Sequence, residues 1–120
     1  MVTLPQHGSN GTLLDIAAFL PHIDRMAKPD SWMITIHECL GDRALEIEAL
    51  SGSGYELADA EFRSLYKGIY QTIDGHFVGK SGGVSICELR AVDSSFWEIT
   101  GSQPFEAHML ATFGAWRGPR

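Results

Sequence analysis

Apolar and polar positions alternate most regularly over residues 84–100, VSICELRAVDSSFWEIT. Cys87, Leu89 and Ala91 fall on one side of the first run, with Ile86, Glu88, Arg90 and Val92 on the other. In the second run Trp97 and Ile99 oppose Phe96, Glu98 and Thr100. The polar corner Asp93-Ser94-Ser95 separates the two runs, so the pattern predicts an antiparallel hairpin. Trp97 carries the largest apolar area of this stretch and is the expected nucleus of the core.

The same period recurs in SWMITIHECL (31–40), where Trp32, Ile34 and Ile36 alternate with Met33, Thr35 and His37. Its β-branched residues favour a strand. Gly41-Asp42 signals a turn. Residues 44–50 alternate again, Leu45, Ile47 and Ala49 against Glu46, Glu48 and Leu50, which predicts a second hairpin with one acidic face. Residues 76–80 suit a short strand, and Ser51–Gly54 (SGSG) a flexible connector.

Helical spacing appears in three places. Leu13, Ile16, Ala17 and Leu20 form a stripe behind Thr12 as cap, which Pro21 should end or kink near Phe19 or Leu20, with His22–Ala27 able to add another turn. Phe62, Leu65, Tyr66, Ile69, Tyr70 and Ile73 form a longer one, giving a helix over 60–73 with Asp59 as N-cap and Gly75 beyond its end. A hairpin beginning at Ile69 and turning at Asp74-Gly75 is the rival reading. Pro104 and Glu106 announce a last helix with Phe105, Met109, Thr112 and Phe113 on one stripe, extended by Trp116. Residues 1–11 read as irregular. Together the elements predict a single α+β domain over 1–120. It has an antiparallel sheet of about four or five strands and three helices packed mainly on one face.

Composition adds bounds. The 120 residues are 44% hydrophobic and 20% charged, which suits one globular core. The longest apolar run, Ile16–Leu20, is far shorter than the roughly 20 residues of a membrane span. No basic segment followed by an apolar one opens the chain, so a cytoplasmic protein is expected. Cys39 and Cys87 then read as reduced core residues rather than a disulfide.

The net charge of −6 is concentrated in one segment. Residues 38–61 hold Glu38, Asp42, Glu46, Glu48, Glu56, Asp59 and Glu61 against Arg43 alone. Such a balance argues against nucleic-acid binding and suits a basic protein partner. Glu38, Asp42, Glu46, Glu48 and Glu56 are therefore candidate partner-binding residues, as are Asp93, Ser94 and Ser95 at the hairpin corner. Turn chemistry alone also explains that corner, with Asp93 accepting backbone hydrogen bonds near Ser95.

Candidate chemistry is sparse. His37 and Cys39 could share a strand face, but Glu38 points away from both. His76, His108 and Cys87 complete no recognised metal spacing, so no metal or cofactor is expected. No GxSxG elbow occurs. Gly79-Lys80-Ser81 lacks the earlier glycine of a phosphate loop, because Asp74 occupies that place. Glu46 and Glu48, about 7 Å apart on one strand face, lack the surrounding aromatics of a sugar site.

Over its last 40 residues, through ELRAVDSSFWEITG and the helix that follows, the chain resembles small acidic bacterial immunity proteins from polymorphic-toxin and contact-dependent competition loci. Its length, acidity and α+β pattern are similar too. The resemblance implies a binder without catalytic activity that covers the active or substrate site of a cognate toxin. The toxin would be a basic nuclease in the case that best suits the acids. Other classes fitting the same features are a phage-encoded inhibitor of a host defence complex, a small enzyme with a scattered site, and an oligomeric regulatory domain.

Overall fold

Trp32, Ile34 and Ile36 project from one side of a ten-residue strand, and the residues paired with them define the buried face of the domain. The computed structural model describes residues 1–8 and 11–118. Its elements are β1 (Val2–Pro5), α1 (Ile16–Met26), β2 (Ser31–Leu40), α2 (Ala44–Ser51) and β3 (Tyr55–Ala58). After these come α3 (Asp59–Tyr66), β4 (Gln71–Ser81), β5 (Val84–Val92), β6 (Phe96–Thr100) and α4 (Gln103–Phe113). The strands form one sheet in the order β1-β6-β5-β4-β2-β3, every neighbouring pair antiparallel. The domain is therefore α+β, with six strands and four helices among the described residues rather than the four or five and three expected.

Register explains the single core. Ile34 lies opposite Phe77, which lies opposite Leu89, which lies opposite Ile99. In the next row Ala91 faces Trp97 and Trp97 faces Leu4. All of these are buried. Side chains alternate between faces, so Met33, Thr35, His76, Val78, Glu88, Arg90 and Glu98 line the opposite, uncovered face. The inner face is covered by Phe19 and Ile23 of α1, Phe62 and Leu65 of α3, and Phe105 and Met109 of α4. Trp97 meets Phe19 edge to face, and Trp32 stacks on Phe62 with centroids 4.5 Å apart. The hairpin 84–100 forms as expected, and its indole N–H donates to the Leu14 carbonyl. Cys39 and Cys87 are buried free thiols.

Residues 44–51 are helical, not the second strand of a hairpin. Ala, Leu and Glu are strong helix formers, and seven residues are too few for alternation to separate the two periods. The helix lies along the edge of β2 beyond the reach of β3, whose last pair is Ile34 with Tyr55. There the Ile36 N–H donates to Ser51 Oγ and the Cys39 N–H to Glu48 Oε2. Side-chain oxygens thus replace the missing ladder acceptors, while Ile47 fills the space beneath. A bulge at His37 resets the register, so Ile36 and Cys39 both point inward.

The predicted helix 60–73 stops at Tyr66, and Ala58 rather than Asp59 occupies the N-cap position. Ile69 and Tyr70 lie in the connection and Ile73 in β4, which starts at Gln71 rather than at 76. Asp74-Gly75 is neither helix stop nor turn. Gly75 sits mid-strand between Ile36 and Ala91, where a Cβ would lie 2.9 Å from Thr72 Cγ2. Long-range pairing with β2 and β5 has overridden a local helical stripe. The SGSG segment likewise leads from the end of α2 into β3, an edge strand that the pattern did not announce.

Three further corrections concern the chain ends. Residues 2–5 are a strand, not irregular, because β6 supplies a partner from the far end of the chain. Asp15, not Thr12, caps α1 through its own carboxylate, and the helix continues through Pro21 to Met26. Burial of Phe19, Leu20 and Ile23 holds it across the missing N–H, and the ring itself is exposed. Trp116 leaves the α4 stripe, its backbone N–H donating to the Thr3 carbonyl on the β1 edge. No helix among the described residues is long and apolar enough to cross a membrane.

Candidate functional site

The end of the sheet where β2 finishes, β4 begins and β5 turns into β6 gathers most of the singled-out residues. Leu40 pairs with Gln71, and Gln71 Nε2 donates to Ser94 Oγ at 2.9 Å. The acidic segment and the hairpin corner thus lie about 10 Å apart, two strand spacings, on one end of the domain.

Four acids there, Glu38, Asp42, Asp74 and Asp93, form no ion pair among the described residues. Glu38 and Asp74 are direct cross-strand partners. Like charges in that relation oppose each other and weaken the pairing. The same segments carry exposed apolar side chains: Leu40 at 51%, Tyr70 at 59% and Leu45, on the first turn of α2, at 84% of full exposure. The Tyr70 N–H donates to the Leu40 carbonyl, and the neighbouring Asp42 carboxylate raises the Tyr70 hydroxyl above its ordinary pKa.

Other expected site residues lie elsewhere or are engaged. Glu46 is held by Arg43 through two hydrogen bonds of 2.9 and 2.7 Å, and that contact lowers its pKa. Glu48 turns inward to Cys39. On a helix, positions i and i+2 do not face each other, so the two glutamates share no face. Glu56 lies on β3 beside Lys80, outside the cluster. Asp74, Tyr70 and Leu45 were missed because their segments were assigned to a stop, a helix and a strand.

The corner itself is a turn with Asp93 and Ser94 both in the left-handed region (φ 50° and 58°). It is closed by Ser95 N–H to the Val92 carbonyl and by Ser95 Oγ to the Asp93 carbonyl, not by the Asp93 carboxylate. A polar chain fixes it from below. Gln71 reaches Gln6, and buried Gln6 reaches the Thr72 carbonyl. The Thr72 N–H and hydroxyl both donate to Asp15, whose pKa burial raises. Beside the corner lies a cleft of about 420 Å³ lined by His7, Val92, Asp93, Ser94, Ser95, Phe96 and Trp116. Trp116 stacks on Phe96 with centroids 4.2 Å apart and planes at 29°.

Groups suited to covalent or metal chemistry are dispersed. Among the described residues no three His, Cys, Asp or Glu side chains come together to hold a metal ion. His37 is exposed and Cys39 buried, so they form no pair. Burial pushes the Cys39 and Cys87 thiols up to about 11, which keeps both protonated at neutral pH and poor nucleophiles. His22 and His108 meet between α1 and α4, ring nitrogens 2.8 Å apart, with Phe113 against His22. In comparison with known proteins, the chain matches no family model, no curated protein and no solved structure.

Proposed function

We propose that the chain is a cytoplasmic, non-enzymatic protein-binding inhibitor of the immunity kind, which neutralises a basic bacterial toxin domain by covering it. The observation that carries this reading is that acids without ion-pair partners and exposed Leu40, Leu45 and Tyr70 lie on the segments at one end of the sheet. Isolated surface leucines are ordinary. A leucine as exposed as Leu45 and a cross-strand like-charge pair both cost stability, and both suit an interface. Apolar anchors supply contact area, and the acids steer a basic surface and reject an acidic one.

The test is a pull-down from the producing bacterium with wild-type protein, Leu45→Asp and Asp74→Lys, followed by association kinetics with the captured partner across a salt series. The expected result is a basic partner retained by wild type and lost by both variants, with an association rate that falls as salt rises. A partner bound equally well by all three proteins would remove this surface from the interface. Turnover by the chain in a substrate screen would overturn the inhibitor reading itself.

A further inference from the structure

The cleft beside the hairpin corner is built unlike the rest of the surface. One wall is aromatic, because the chain after α4 runs along the β1 edge and sets Trp116 on Phe96, which side-chain alternation directs to the uncovered face of the sheet. Val92 belongs to the same face. The opposite rim is the β5–β6 turn, where Asp93 brings the one acidic side chain of the lining and His7 the other titratable group. An adjoining cleft shares His7, Ser95 and Trp116 with this one and carries Arg117 on its own part of the lining, with Pro5, Gly8 and Ala115.

The turn adds a second observation. Two successive left-handed residues favour Asn-Gly or Asp-Gly, and a serine in the second place is strained. Ser94 has a structural reason to be there, because its hydroxyl accepts the Gln71 amide and its N–H donates to the Ile73 carbonyl. Those bonds hold the rim still. The Asp93 carboxylate makes no hydrogen bond or ion pair among the described residues, so the turn does not need it. An unpaired carboxylate carried on a held turn, lining the same cleft as an indole, is an arrangement that attracts a weakly hydrated cation, through ring quadrupole and charge together.

We propose that this cleft binds an organic cation, an alkylated ammonium group carried by a free small molecule or by a lysine side chain, between Trp116 and Asp93. The inference stands apart from the toxin-binding reading, since it needs no partner protein. The indole face that Phe96 leaves uncovered meets the positive centre, Val92 lines the cleft beside it, and Asp93 supplies the counter-charge. A primary ammonium, more strongly hydrated, is held less well.

The experiment is a nuclear magnetic resonance titration of the full chain that follows the Trp116 indole N–H. Choline is compared with 3,3-dimethylbutan-1-ol, which has the same shape without the charge, in buffer of constant ionic strength. Choline should shift Trp116 at millimolar concentrations and bind roughly tenfold more tightly than the alcohol. Asp93→Asn should weaken choline roughly fivefold or more while keeping the fold, because Asn also accepts the left-handed region. Trp116→Leu should abolish binding, with spectral dispersion as its folding control. Nα-acetyl-trimethyllysine amide distinguishes the sources. Tighter binding than choline assigns the cleft to a side chain, and weaker binding assigns it to a free molecule. Equal affinity for choline and the alcohol, shifts that bypass Trp116, or unchanged binding by Asp93→Asn would each overturn the proposal.

Discussion

The Glu48 carboxylate accepts the backbone N–H of Cys39 at 3.1 Å, along the edge of β2 that β3 leaves uncovered. An acid that reads from the sequence as part of a solvated face is therefore a piece of the sheet edge. Removing it leaves a strand N–H without its acceptor, a loss of about 1–3 kcal/mol. Glu48→Lys should accordingly lower the urea midpoint clearly, whereas Glu46→Lys, which disturbs one exposed ion pair, should leave it close to wild type. Equal midpoints for the two variants would show that the Cys39 contact contributes nothing.

Trp97 joins three layers: β6 itself, α1 through Phe19, and the loop before α1 through the Leu14 carbonyl. Trp97→Ala should cost ~3–5 kcal/mol by opening a cavity. Trp97→Phe should cost less, since it keeps most of the ring volume and loses the hydrogen bond. Chemical denaturation with an unchanged m value is the check, and a wild-type midpoint for the alanine variant would contradict the packing described.

The His22–His108 contact makes stability depend on pH in a definite direction. His22 is held below the ordinary value of 6.5, first by burial, then by the charges of His108 and Arg25. Between the folded and unfolded values the unfolded chain binds more protons, so stability rises with pH there. The contribution of His22 is complete above about pH 6.5 and is lost as pH falls through the lower, folded value. Denaturation midpoints compared from about pH 7.5 down to about pH 5.5 should fall more for wild type than for His22→Gln. Parallel curves would remove His22 as the source.

Gly41 begins the turn from β2 into α2, and a Cβ there would lie 2.0 Å from the Gly68 carbonyl oxygen, at a φ of 153°. Neither backbone can retreat freely, because the Arg43 N–H is bonded to that same carbonyl. Gly41→Ala should destabilise by ~2–4 kcal/mol and lower the yield of folded protein. A melting temperature equal to wild type would mean that the α2 corner is looser than this packing implies.

How far each element was legible depended on where its stabilising partner lies. The β5–β6 hairpin and α4 are local, and their patterns carried them. The strand 31–40 was readable because Trp32, Ile34 and Ile36 alternate with β-branched support. Residues 69–73 were not, since their helical spacing is real but their pairing with the end of β2 is distant. The strand at 2–5 depends on β6, and nothing near it in sequence signals that partner. At the candidate site the charges Glu38, Asp42 and Asp93 were visible. Their convergence with Asp74, Tyr70 and Leu45 required the register of Leu40 with Gln71 and the helical state of α2.

The bond from the Trp97 indole to the Leu14 carbonyl spans 83 positions of the chain. On a ribosome adding 5–20 residues each second, the first strand and first helix wait about 4–17 s for the strand that receives them. Through that interval Leu4, Ile16 and Phe19 have no core to enter, and any chaperone or protease near the exit tunnel meets them bare. A complete chain refolding from denaturant has no such delay. Newly made protein should therefore be far more vulnerable than the same protein refolding, and pulse-chase proteolysis during translation would measure the difference.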